Sequence, residues 1–128
     1  RLAKGRSLRG KRAPWITFGF SKDHRPDLRQ LLFVMTTSAD GGVPVQFRCG
    51  DGSTNDSVTH IETWEALRAA MGRTDFLYVA DSKLCSYENL HHIGQHGGRL
   101  VTVLPRSRLE DGWMRKWVQT EVPAWELV

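Results

Sequence analysis

The sequence predicts a mixed α/β fold, and three observations carry that expectation. Two runs, the unbroken apolar Phe76-Leu77-Tyr78-Val79-Ala80 and Leu100-Val101-Thr102-Val103-Leu104 with Thr102 its one polar residue, read as buried strands. Segments with helical spacing of apolar residues alternate with them. Upstream lies an apolar run, a glycine turn and an alternating return run, the pattern of an antiparallel hairpin. The order is hairpin, helix, strand, helix, strand, helix, which defines a mixed sheet with helices packed on it.

In chain order, residues 1–14 come first as a basic arm. Of the 18 Lys and Arg in the 128 residues, six (Arg1, Lys4, Arg6, Arg9, Lys11, Arg12) lie there and no acidic residue does; twelve then face 14 Asp and Glu in the rest. Such an arm is expected to be flexible. It can neutralise nucleic-acid phosphates, or it can be merely a solvated tail. The remaining residues, 15–128, are expected to form one domain or part of one.

The segment Ser21-Lys22-Asp23-His24-Arg25-Pro26-Asp27 is too polar for a core element, and Pro26 favours a turn. Gln30 to Ser38, with Leu31-Leu32-Phe33-Val34-Met35, reads as a buried strand. Ala39-Asp40-Gly41-Gly42 supplies the turn, and Val43 to Cys49 returns, with Pro44 tolerated near a strand start. Asp56 or Ser57 is expected to cap a helix with Ile61, Trp64, Leu67, Ala70 and Met71 inward, ending at Gly72. After the strand Phe76–Ala80, Ser86 caps a second helix with Leu90 and Ile93 inward, and Gly97-Gly98 ends it. Ser107 and Glu110 match a capping box for a third helix striped by Leu109, Trp113 and Trp117.

Composition excludes several classes. No apolar run approaches the ~20 residues of a membrane helix, and the N-terminus lacks the apolar core of a signal peptide. Two cysteines, Cys49 and Cys85, form no disulfide framework and fit a reducing cytoplasm. The chain opens on Arg1 rather than a methionine, as expected of a piece of something longer.

Single residues admit competing readings. Asp81 stands just past a strand, where open α/β sheets gather ligands and chemistry, but an exposed strand-end carboxylate or a cap is the plain alternative. His92 and His96 are four apart on one helix; lacking a His-Glu-x-x-His pattern or an evident third ligand, they read as a solvated polar face rather than a metal pair. Cys85 has no base placed for it and reads as a small, partly buried thiol. Trp64, Trp113 and Trp117 read as core or domain-packing residues rather than base-stacking platforms.

Three segments together resemble the DDE transposases of bacterial insertion sequences. They are Gly19-Phe20-Ser21-Lys22-Asp23-His24-Arg25-Pro26-Asp27-Leu28-Arg29-Gln30-Leu31-Leu32-Phe33, then Asp51-Gly52-Ser53-Thr54-Asn55-Asp56-Ser57, then Val79-Ala80-Asp81-Ser82-Lys83. They occur in the family's order, and the resemblance runs from about Ile16 onward. Ser53 departs from the family, which has Asn there.

The resemblance implies a ribonuclease-H-like core in which two aspartates and a glutamate hold two Mg²⁺ (or Mn²⁺) ions for DNA strand cleavage and transfer. Hard cations call for carboxylate oxygens, and two of them can stabilise the attacking and leaving oxygens of an in-line displacement. Asp81 matches the family's second aspartate. Lys22, His24, Arg25 and Lys83 become candidates for DNA contact; a salt-bridged turn is the alternative for the first three.

The family's first aspartate belongs to a strand upstream of Lys22, where this chain has no acidic residue. Glu121 and Glu126 lack the context of the family glutamate. The expectation is therefore an internal fragment without the first, central strand, inactive alone, in which Ile16–Phe20 partly fills the vacant edge. The parent's partners would be insertion-sequence ends and target DNA, met as a homo-oligomer in a synaptic complex in the bacterial cytoplasm. The alternatives are a non-catalytic nucleic-acid-binding module and an inert remnant of a decayed element.

Overall fold

The computed structural model describes residues 7–8, 10–20, 24–121 and 124. The chain is mixed α/β and divides into two compact units, Arg1–Thr63 and Trp64–Val128. Among the described residues, the strands form three two-stranded sheets.

In the first unit, β1 (Ser7–Leu8) pairs antiparallel with β2 (Lys11–Arg12). The described part of the basic arm is thus a short hairpin. Its fastening has a local cause: Asp51 takes the Arg12 guanidinium at 3.3 Å and the Trp15 backbone N–H at 2.7 Å. The segment after Trp15 makes one antiparallel bridge, Thr17 with Gln30, and no longer strand. Gly52 is required beneath it, because a Cβ there would collide with the Gln30 and Thr17 carbonyls.

The expected hairpin is present as β3 (Leu31–Thr37) and β4 (Pro44–Asp51), in a register running from Leu31 opposite Asp51 to Thr37 opposite Pro44. Pro44 occupies the first strand position, where its missing N–H breaks no ladder. The burial of β3 differs from expectation. Alternation sends Leu31, Phe33 and Met35 to one face together with Phe47, and all four are exposed, with the Phe33 and Phe47 rings stacked at 5.8 Å.

Asn55, not Asp56 or Ser57, caps the next element: its side chain accepts from the Ser57 N–H, opening a 3-10 turn over Asp56–Val58. Helix α1 (Thr59–Met71) follows. Arg48 on β4 holds its first turn, donating to the Thr59 carbonyl at 2.9 Å and to Thr63 Oγ1 at 3.1 Å and pairing with Glu62.

In the second unit, β5 (Leu77–Ala80) runs parallel to β6 (Arg99–Thr102), joined through α2 (Tyr87–Gln95). Trp64 and Leu67 from α1, Tyr78 from β5, Leu84, and Ile93 from α2 make the buried core, with Phe76, Ala80 and Leu100 against it. Of the inward set expected on α1, Met71 is exposed and Ala70 with it.

Strand β5 is not buried on both faces. Tyr78 is 7 % exposed, but Leu77 and Val79 are 54 % and 65 % exposed, because the helices cover one face only. Val101 and Val103 extend the same uncovered apolar surface. Ser86 caps α2 as expected, accepting from the Asn89 N–H at 3.3 Å. The third helix, α3 (Leu109–Thr120), does not use the Ser107 box; Arg108 stands at its N-cap without a side-chain bond. Its Leu109, Trp113 and Trp117 stripe is exposed rather than packed. No helix of the described residues is long and apolar enough to cross a membrane, and Cys49 and Cys85 are free thiols.

Candidate functional site

Asp81 lies where the sequence places it, immediately past the carboxyl end of a parallel strand, with its side chain exposed. It opens a 3-10 turn over Ser82–Leu84, and its Oδ1 accepts from the Lys83 backbone N–H at 2.9 Å. The turn is anchored from below. Leu84 is fully buried, and the Asn89 amide, 2 % exposed, reaches the Lys83 carbonyl at 3.5 Å. From the neighbouring strand, Thr102 Oγ1 donates to the Asp81 carbonyl at 2.6 Å. Backbone and turn are thus fixed on both sides, so the carboxylate is presented from a rigid base. Its chemistry is that of a cap and of a single exposed anionic ligand.

One carboxylate does not constitute the two-ion Mg²⁺ site implied by the family resemblance. Among the described residues, Asp81 belongs to no group of three mutually close ligands. The residues present therefore do not fit two ions.

Of the candidate DNA contacts, Lys83 is exposed beside Asp81 in the second unit. Lys22 lies outside the described residues. His24, in the first unit, is exposed and holds a left-handed backbone with φ 54°. Arg25 is forked onto Asp27, with Nε to Oδ1 at 2.8 Å and a terminal nitrogen to Oδ2 at 2.7 Å. That bidentate bond lowers the Asp27 carboxyl below its ordinary range and raises the Arg25 guanidinium. For Arg25, the salt-bridged turn is the arrangement found.

A second constellation was not anticipated. Glu65 on α1, with His92 and His96 at the end of α2, offers one ligand atom each, all within 4.8 Å of one another. Glu65 Oε1 meets His92 Nε2 at 2.7 Å, and Arg68 takes Oε2 at 2.6 Å. The hydrogen bond from His92, helped by the Arg68 charge, holds the Glu65 carboxyl below the usual carboxylate range against the opposing effect of desolvation. His92 and His96 are therefore not a bare solvated pair. The spacing of the two histidines was readable; Glu65, 27 positions before His92, has no local signature linking it to them.

No protein-family model, no curated protein and no solved structure matches the chain.

Proposed function

We propose that this chain is part of the catalytic domain of a metal-dependent DNA transposase, of the DDE class found in insertion sequences, with a ribonuclease-H-like core. Asp81 would be one of its three metal-binding carboxylates. The observation that carries the reading is the Val79–Lys83 motif, with Asp81 held on an anchored turn past a parallel strand. Ligands of many kinds collect at that position in open α/β sheets. The uncovered apolar faces of β3–β4 and β5–β6 support it further, since a larger domain would have side chains to lay over them.

In the parent, Asp81 would ligate Mg²⁺ or Mn²⁺ together with an upstream aspartate and a downstream glutamate. Metal ions held by that complete set would supply Lewis-acid chemistry for phosphoryl transfer. Lys83 and His24 would contact DNA phosphates.

The test uses the complete gene product on a DNA substrate carrying the element's ends. Asp81→Asn should abolish nicking and strand transfer while leaving DNA retention intact; an active Asp81→Asn protein overturns the assignment. The 128-residue chain alone should not nick DNA with either ion. Nicking by this chain that Asp81→Ala removes would show that the other ligands are present in it after all.

The basic residues of 1–14 favour a second reading, a non-catalytic nucleic-acid-binding module. Under it the chain binds duplex DNA with a log–log salt slope no steeper than about −5, at ~0.9 per phosphate contact. Equal affinity with and without residues 1–14 excludes the arm from either account.

A further inference from the structure

We propose that Glu65, His92 and His96 form a binding site for one divalent transition-metal ion, best suited to Zn²⁺. The site is independent of the cation chemistry assigned to Asp81.

The ligands come from rigid elements. Glu65 stands in the second turn of α1, and His92 and His96 stand one helical turn apart at the end of α2, so both imidazoles share a face. Their donor atoms already lie within 4.8 Å of one another. Tetrahedral coordination at ~2.0–2.1 Å per ligand separates neighbouring donors by roughly 3.3 Å. His92 Nε2 now donates its proton to Glu65 Oε1 at 2.7 Å, so an ion entering between them displaces that proton, to solvent or to the other ring nitrogen, as the pair opens slightly and His96 turns inward.

The supporting shell is in place as well. His96 Nδ1 lies 2.7 Å from the His92 carbonyl oxygen. A carbonyl only accepts, so Nδ1 carries the proton and Nε2 keeps the lone pair that a metal requires. A backbone carbonyl that takes the proton on the other ring nitrogen is a usual way of orienting a metal-bound imidazole. Glu65 is oriented in the same manner, with Arg68 on Oε2 and Oε1 directed at the histidines. Trp64, fully buried, forms the wall behind them: its ring meets His92 edge-on at 6.0 Å and His96 at 6.1 Å. His96 is exposed, which leaves water access to a fourth position.

Donor type sets the class of ion. Two neutral imidazoles with one carboxylate suit Zn²⁺, Co²⁺, Ni²⁺ or Cu²⁺, whereas Mg²⁺ takes oxygen ligands and sheds its water reluctantly. The plain alternative is a hydrogen-bonded lock between α1 and α2 that never holds an ion.

Calorimetric titration of the chelator-treated 128-residue chain with Zn²⁺ separates the two, with Co²⁺ absorption reporting geometry. The wild-type chain should take up one equivalent, and excess Mg²⁺ should not displace it. His96→Gln, at an exposed position, and Glu65→Gln should each weaken binding by at least about tenfold. His91→Gln, Cys49→Ser and Cys85→Ser should leave it unchanged. The Co²⁺ complex should show tetrahedral ligand-field bands without thiolate charge transfer. Absence of binding, binding insensitive to both His96→Gln and Glu65→Gln, displacement by Mg²⁺, or a thiolate band each overturns the proposal. Should His92→Gln unfold the chain, the two milder variants decide.

Discussion

Replacing Gly98 by alanine probes the packing on which the second unit depends. The Gly98 N–H donates to the Ile93 carbonyl at 2.9 Å, closing α2, and the chain then passes against the Trp64 ring. A Cβ at Gly98 would lie 2.6 Å from Ile93 Cγ2 and 2.7 Å from Trp64 Cζ2. Carbon–carbon contacts settle at about 3.5–4.0 Å, so each overlap is close to an ångström. Both neighbours have 0 % exposure, which denies them room to swing aside. Overpacking of this kind costs about 1–3 kcal/mol. The loss of backbone freedom in the unfolded chain returns about 0.4–1 kcal/mol, leaving a net destabilisation on the order of 1–2 kcal/mol. Gly94→Ala is the matched control, because nothing lies within 4 Å of its Cβ and it sits inside α2. There alanine should stabilise by roughly 0.5–1 kcal/mol. Urea unfolding followed by far-UV circular dichroism should therefore move the two midpoints in opposite directions. With a slope of about 1–3 kcal/mol per M, the Gly98→Ala midpoint falls by on the order of 1 M. A Gly98→Ala chain as stable as wild type would mean that Trp64 and Ile93 are not packed as described.

Other perturbations bear on separate parts of the chain. Ile93→Ala should cost about 2–5 kcal/mol by opening a cavity in the core, measured in the same unfolding experiment. Arg48→Ala should destabilise the first unit by about 1.5–3 kcal/mol, through loss of its charged hydrogen bonds to Thr59 and Thr63. Because its pair with Glu62 is exposed, Glu62→Gln should cost less than about 1 kcal/mol, and equal costs would refute this division. Asp111 is held below the usual carboxylate range by its hydrogen bond from Arg115. A carboxyl depressed in the folded state contributes stability above its unfolded pKa of about 3.9 and loses it as pH falls through the folded value. Arg115→Gln should flatten the acid limb of a helicity–pH curve below about pH 4, and an unchanged limb would remove the pair from the account of α3.

Element identity was legible wherever local chemistry decides it. The Gly41-Gly42 turn, the Ser86 cap and Pro44 at a strand start all follow from local chemistry: backbone freedom at positive φ, an accepting hydroxyl and a missing N–H. Burial was less legible, because a continuous apolar run such as Phe76–Ala80 does not say how many faces are covered. The helices cover only the Tyr78 face and leave Leu77 and Val79 outside. Caps were misplaced by one or two positions: Asn55 takes the N–H expected of Asp56 or Ser57, and α3 opens at Arg108 with no side-chain cap at all. Asp81 at its strand end was readable from the pattern. The third member of the Glu65–His92–His96 cluster was not, since helix-to-helix proximity has no periodicity in sequence.

The parallel ladder of β5 and β6 has a kinetic consequence. Every pair in it, from Leu77–Arg99 to Ala80–Thr102, joins residues 22 positions apart. No tight turn can nucleate such a ladder; loop closure must come first, and α2 shortens the path. The β3–β4 hairpin instead zips outward from its own turn, where Ser38 N–H meets the Val43 carbonyl, within the ~1–10 μs typical of hairpins. On a ribosome, that hairpin can close while β6 is still unsynthesised, and β5 waits with its ladder edge open until α2 and Arg99–Thr102 emerge.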